Sequence, residues 1–107
     1  MEAKPYQKYE HSKIYKIVCD ETNKIFIGST VQKYLSSRLS QYRLLHKNYK
    51  NNQSRNYKEV FEVLENDSYH IELIEKYPCK NKLQLRRREK VYVDSVKCVN
   101  KIDIIQI

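Results

Sequence analysis

The feature that most constrains this chain is a pair of short alternating stretches near its start. Lys13 to Cys19 sets Ile14, Lys16 and Val18 against Tyr15, Ile17 and Cys19, and Lys24 to Ser29 sets Ile25 and Ile27 against Phe26 and Gly28. A period of two, carried by β-branched and aromatic residues, is the pattern of half-buried strands. Between the stretches lies Asp20-Glu21-Thr22-Asn23, polar and turn-prone, so the two are expected to close as an antiparallel hairpin. Gly28 is the only glycine in the protein. Having no side chain, it lets another group come close to the strand, or lets the chain bend at the strand end.

The chain after the hairpin changes period. From Val31 to Lys47, Leu35, Leu39, Tyr42 and Leu45 recur at helical spacing, which predicts an amphipathic helix. Arg38 and Tyr42, four apart, project from one side of it. Lys47 to Asn56 is rich in Asn and reads as a loop. Tyr57, Val60, Phe61 and Leu64 then mark a short second helix whose apolar stripe belongs to the core. Tyr69 to Tyr77 contains Ile71, Leu73 and Ile74 and reads as a third strand that Pro78 stops. Asn81 is a candidate N-cap for a third helix running to about Asp94. On that helix Glu89 shares a side with Leu85, Tyr92 and Val93. A carboxylate among core-type residues is costly unless a cation neutralises it. The cation is either a neighbouring arginine (Arg86, Arg87 or Arg88) or a metal ion.

A chain of 107 residues predicts one small domain with a modest core. The fold class is α+β, a three-stranded antiparallel sheet flanked by three or more helices. Residues 1–12 are polar and are expected to be a loose arm. Residues 13–101 form the domain, and residues 102–107 an apolar tail that packs back on the sheet or pairs with another chain. The formal net charge is +8 and the isoelectric point about 9.4, which favours an anionic partner. Three cysteines, Cys19, Cys79 and Cys98, form no metal or disulfide spacing; they read as buried thiols in a reducing compartment. No apolar run approaches a membrane span, and nothing resembles a signal peptide. The expectation is a soluble cytoplasmic protein with no membrane partner.

Lys13-Ile14-Tyr15 and Phe26-Ile27-Gly28 resemble the two halves of the motif that names the GIY-YIG nuclease family. Three further elements follow in the family's order. Arg38-Leu39-Ser40-Gln41-Tyr42 is similar to the family's arginine with a Tyr or His four residues on. Glu89 is similar to its metal-binding glutamate, and Asn100 to its terminal asparagine. The resemblance covers Lys13 to Lys101. It implies a DNA endonuclease that uses Mg²⁺, with Mn²⁺ able to substitute. Tyr15 is then the general base, Arg38 the charge on the transition state, Tyr42 a hydrogen-bonding partner of phosphate or water, and Glu89 the metal ligand. Asn100 would brace the Glu89 region, with Phe26 and Gly28 beside the site. Lys33, Arg43, His46, Lys47, Lys50 and Arg55 are the candidate DNA contacts. Compact members of this kind suit phages, large DNA viruses and mobile elements. Specificity would have to come from the chain's own loops, a homodimer or an accessory DNA-binding partner, and a duplex break would need two subunits or two visits.

Phosphodiester hydrolysis requires a deprotonated water, stabilised charge on phosphoryl oxygens and a neutralised leaving oxygen. A free phenol is ionised only about one part in a thousand at neutral pH, so Tyr15 needs cations nearby or concerted proton transfer. Two positions depart from the family pattern. Lys13 replaces a glycine, at little expected cost. Phe26 replaces a tyrosine and loses a hydroxyl, for which Tyr34 is a candidate substitute. An alternative is therefore a nucleic-acid-binding module that kept the fold and lost the chemistry. A weaker one is a basic interaction protein that pairs through its apolar end.

Overall fold

The structure, a computed structural model, describes residues 8–100. The apolar ending and residues 1–7 lie outside the described residues, and so do the expectations made for them. Among the described residues there is one sheet of three strands, β1 (Lys13–Cys19), β2 (Ile25–Thr30) and β3 (Tyr69–Lys76), in the order β2-β1-β3 with both pairings antiparallel. Helices α1 (Leu35–Lys50), α2 (Phe61–Leu64) and α3 (Lys82–Ser95) flank it. This is the α+β architecture expected from the sequence. No described helix is long and apolar enough to cross a membrane.

The hairpin closes because Asn23 takes φ 61°, a left-handed conformation that Asn tolerates, and its N–H returns to the Cys19 carbonyl at 2.8 Å. The register sets Tyr15 opposite Gly28 and Ile17 opposite Phe26. Tyr15, Ile17 and Cys19 therefore share one face with Phe26 and Gly28. That face packs on Leu39 and Tyr42 of α1 and on Val60, Phe61, Val63 and Leu64. The opposite face, Ile14 and Ile27, packs on Leu85 of α3. An irregularity in the β1–β3 pairing skips Ile74 between Leu73 and Glu75. It lets Ile74 join the α3-side core while Glu75 reaches Arg88 on the same helix.

Several boundaries differ from the sequence expectation. Helix α1 starts at Leu35, not Val31, because residues 31–34 are held in a turn from outside. The Thr30 hydroxyl accepts from the Gln32 N–H at 3.1 Å, and the buried Lys13 ammonium donates to the Gln32 and Lys33 carbonyls at 2.5 and 3.1 Å. The helix also runs to Lys50 through the start of the expected loop. Lys47 and Lys50 in its last turn suit the negative end of the helix dipole, and Asn52 at φ 61° ends it. Helix α2 is shorter than its stripe: Tyr57 lies outside it, yet its ring meets Phe61 edge-on at 5.7 Å. Asn81 does cap α3, its side chain accepting from the Gln84 N–H at 2.9 Å.

The end of the expected loose arm is tied down. Ser12 is buried and its carbonyl accepts from the Tyr77 N–H at 2.8 Å, while the Tyr9 carbonyl accepts from Cys79 at 3.3 Å. All three thiols are free, but only Cys19 is buried; Cys79 and Cys98 are partly exposed.

Candidate active site

Strand β2 is an edge strand, so groups from both faces of the sheet can meet around it. They do so in a cleft of about 470 Å³ whose lining includes Phe26, Gly28, Ser29, Arg38, Tyr42 and Glu89. One wall comes from α1 and the other from α3.

The α1 wall is built on the Tyr15–Gly28 pair. A Cβ on Gly28 would lie 2.5 Å from Tyr15 Cζ and closer still to its hydroxyl. Only glycine leaves room for the ring, which explains the chain's one glycine. The Tyr15 side chain is fully buried, and its hydroxyl shares a 2.7 Å hydrogen bond with that of Tyr42. Arg38 sits over both phenols. Its Nε donates to Tyr15 Oη at 3.3 Å and one Nη to Tyr42 Oη at 3.0 Å; its guanidinium carbon is 4.4 Å from the Tyr42 ring centre. The other Nη donates to Gln41 Oε1 at 3.0 Å, and Gln32 Nε2 donates to the same oxygen at 2.9 Å. Among the described residues Arg38 has no carboxylate partner. Its positive charge meets only neutral oxygens and stays available to an anion.

The electrostatics bear on Tyr15. Burial, and behind it the Tyr42 hydroxyl, push its phenol above the ordinary value and outweigh the opposing pull of Arg38. The nearby cation does not make this phenol more acidic, contrary to what a general base there needs.

The α3 wall is lighter. Glu89 is partly exposed and accepts a 2.6 Å hydrogen bond from Ser29 Oγ. Ser29 points to the α3 face because it lies two residues after Ile27. The rival partner of Glu89 is otherwise engaged: Arg88 forks onto Glu75 at 2.5 and 2.7 Å. That bond holds the Glu75 carboxyl below its usual range. No lysine or arginine among the described residues pairs with Glu89, so the expected alternative of an arginine ion pair does not hold.

The donor set suits a hard cation of the Mg²⁺ type. Glu89 brings carboxylate oxygen to an open cleft, and no described group of three His, Cys, Asp or Glu forms a closed cage. Mg²⁺ retains waters and accepts substrate oxygens, so a single carboxylate is a workable anchor.

Asn100 braces a different target from the one expected. Its side-chain hydrogen bonds go to Ile27: its amide donates to the Ile27 carbonyl at 2.7 Å and accepts from the Ile27 N–H at 2.8 Å. It thereby covers the open edge of β2 next to Gly28 and Ser29. Phe26 faces the cleft and meets Tyr42 edge-on at 5.8 Å. Tyr34 does not line the cleft and is 60% exposed, so it offers no hydroxyl there.

The candidate DNA contacts fall in three places. Lys33 is exposed on the turn entering α1. Arg43 lies along Tyr69, its Nε donating to the tyrosine oxygen at 2.9 Å. Lys47 is exposed near the end of α1, while Lys50 and Arg55 line a separate hollow. His46 is a correction. It is buried, its ring tilted against Phe61 with centres 5.0 Å apart, and burial lowers its pKa, so it is a core residue and not a surface cation.

Sequence reasoning missed Ser29 and Gln41 and undervalued Lys13. Two of these left a signal: Ser29 shares the parity of Ile27, and Gln41 lies one turn from Arg38. A family model described as the GIY-YIG catalytic domain matches residues 11–103. No curated protein and no solved structure matches the chain.

Proposed function

The chain belongs to the GIY-YIG family, whose catalytic domain is of nuclease type, and on that premise we propose that it is a Mg²⁺-dependent DNA endonuclease working in the cleft between α1 and α3. The observation that carries this reading is Arg38, a guanidinium without a carboxylate partner, set over two phenols and sharing one cleft with the lone carboxylate of Glu89.

The scissile phosphate enters the cleft and Arg38 takes its non-bridging oxygens, to which its donor fork is matched. Those contacts strengthen as charge builds on the oxygens, which is what lowers the barrier. The resemblance gives the role of base to Tyr15. Its buried hydroxyl favours a different division: Tyr42, which lines the cleft, meets the attacking water, and Tyr15 orients Tyr42 from behind. Glu89, oriented by Ser29, would hold the metal. The ion would supply Lewis-acid stabilisation of phosphoryl and leaving-group charge. One such site cuts one strand, so the primary product is a nick. Service to a phage, virus or mobile element belongs to this reading as its biological setting.

The test is incubation with supercoiled plasmid in Mg²⁺, Mn²⁺ or EDTA. Nicking in either metal, absent in EDTA and lost in Arg38→Ala and Glu89→Ala, is the expected result. A second reading, a binding module without catalysis, is favoured by Phe26, which brings a ring and no hydroxyl to the cleft. DNA retardation in a gel, with no cleavage of any substrate in either metal, would establish that reading instead.

A further inference from the structure

The excess charge of this protein is not spread over it. Between Thr22 and Lys58 there are eight lysines and arginines and no Asp or Glu. The remaining thirteen Lys and Arg are balanced by thirteen Asp and Glu, so the formal +8 of the whole chain resides in this one segment. In the fold the segment is β2, α1 and the loop after it. Arg38 stands at one end, in the cleft. Along α1 the exposed positions Arg43, Lys47 and Lys50 follow at helical spacing. The helix then delivers the chain into a second hollow, of about 600 Å³, lined by Tyr49, Lys50, Asn52, Ser54 and Arg55.

That hollow is a formed feature. Its loop is closed by Gln53 N–H to Asn48 O at 2.8 Å and Asn52 N–H to Tyr49 O at 3.1 Å. The Tyr49 ring is anchored against Tyr57 and Phe61 at 5.6 and 5.2 Å. Lys50 and Arg55 have no ion pair among the described residues. Two unpaired cations with an amide and a hydroxyl form a donor set for phosphate oxygen.

From this we infer that the hollow is a second backbone-phosphate site, which grips duplex DNA away from the phosphate held by Arg38. Twelve residues of helix separate Arg38 from Lys50, about 18 Å at the α-helical rise. At 3.4 Å per phosphate along each strand, that is about five base pairs. Helix α1 is thus a spacer between the cutting cleft and a grip. The spacing rests on the cleft being the nuclease site; the anion site itself does not.

The experiment separates the two. Binding of non-specific duplexes of about 6 and about 20 base pairs, lengths chosen around that spacing, is followed by fluorescence anisotropy across 50 to 200 mM salt in EDTA, so cleavage is not involved. For the long duplex, Lys50→Gln/Arg55→Gln is expected to flatten the slope of log Kd against log salt by about two units, near 0.9 for each phosphate released. The short duplex carries no terminal phosphates, so the outermost phosphates of each strand lie four steps, about 14 Å, apart along the axis and fall short of the two sites; here the double variant is expected to change the slope by less than half as much. Arg87→Gln/Lys97→Gln removes the same charge from exposed positions outside the segment and is expected to leave both slopes near wild type. Arg55→Gln alone gives half the long-duplex effect should the double variant fold poorly. Equal flattening by both pairs would mean net charge alone, and equal effects at both lengths would mean no spaced site. Polyglutamate competing as well as DNA of equal charge would point to an acidic protein. Each of these overturns the proposal. Loss of plasmid nicking with the slopes as expected would reject the cleft reading and leave the grip standing.

Discussion

The two walls of the cleft are made differently. The α1 wall is part of the main core: Tyr15 and Tyr42 are buried with Ile17, Phe61 and Leu64, and Arg38 is bound to both phenols. The α3 wall hangs on a thinner core, where Leu85 is the one described residue of the helix that is buried, and Glu89 is held by a single serine. One wall cannot be altered without disturbing the fold; the other can. A cation that must keep its charge among neutral oxygens needs a rigid setting, because a mobile guanidinium would find water or a carboxylate. A carboxylate that takes up a hydrated ion needs access and tolerates movement. The contrast assigns stability with chemistry to α1, and chemistry alone to α3.

The largest effects should fall on activity from both walls. Arg38→Ala is expected to slow nicking by about a thousandfold, the scale seen when a preorganised transition-state donor is removed. Glu89→Gln should slow it by at least about a hundredfold while the melting temperature moves by no more than about 2–4 °C, the equivalent of about 0.5 kcal/mol for a substitution outside the core. A Glu89→Gln protein that melts many degrees lower would break the contrast, because the α3 wall would then be structural. Next comes Gly28→Ala. The added methyl must displace the Tyr15 ring, and overpacking of this kind costs about 1–3 kcal/mol, or about 4–8 °C for each kcal/mol in a domain of this size. Thermal denaturation followed by circular dichroism reads it, and an unchanged melting curve would mean that Tyr15 is not confined. Ser29→Ala should cost about tenfold in rate, the low end for loss of a group that orients a metal ligand, and Ser29→Thr should recover most of it. The smallest effect concerns acid. Burial, with Lys50 adding to it and Glu65 opposing, depresses the His46 pKa. The unfolded chain therefore takes up this proton more readily. Stability from His46 is present above the ordinary histidine value and declines as pH falls through it. Denaturant titrations at pH 7.5 and 5.5 should show less acid sensitivity in His46→Leu than in wild type.

Much of the fold was legible because it is written in short-range pattern. The parity of Ile14 to Cys19 gave β1 its limits, and Asn81 marked the start of α3 through its own side chain. What was not legible came from partners distant in the chain. Helix α1 starts late because Lys13 and Thr30 hold the preceding turn. Asn100 meets Ile27 across 73 positions, a separation at which no local pattern speaks. His46 is different, since its burial could have been read: it stands four after Tyr42 and seven after Leu39, on the apolar stripe. The spacing of Arg38 and Tyr42, and the inward side of Glu89, were visible in the sequence; Gln41 and Ser29 left only their spacing as a signal, and their role as the neutral partners that hold these groups needed the packed strands and helices.

The central claim is that Arg38 and Glu89, from opposite walls, act on one phosphate. A double-mutant cycle in single-turnover plasmid nicking tests it most directly. Groups that work as a unit are strongly non-additive, so Arg38→Ala/Glu89→Gln should be scarcely slower than the slower single variant. A double variant slowed by the full product of the two single effects would contradict the account, and the walls would have to be assigned to separate tasks.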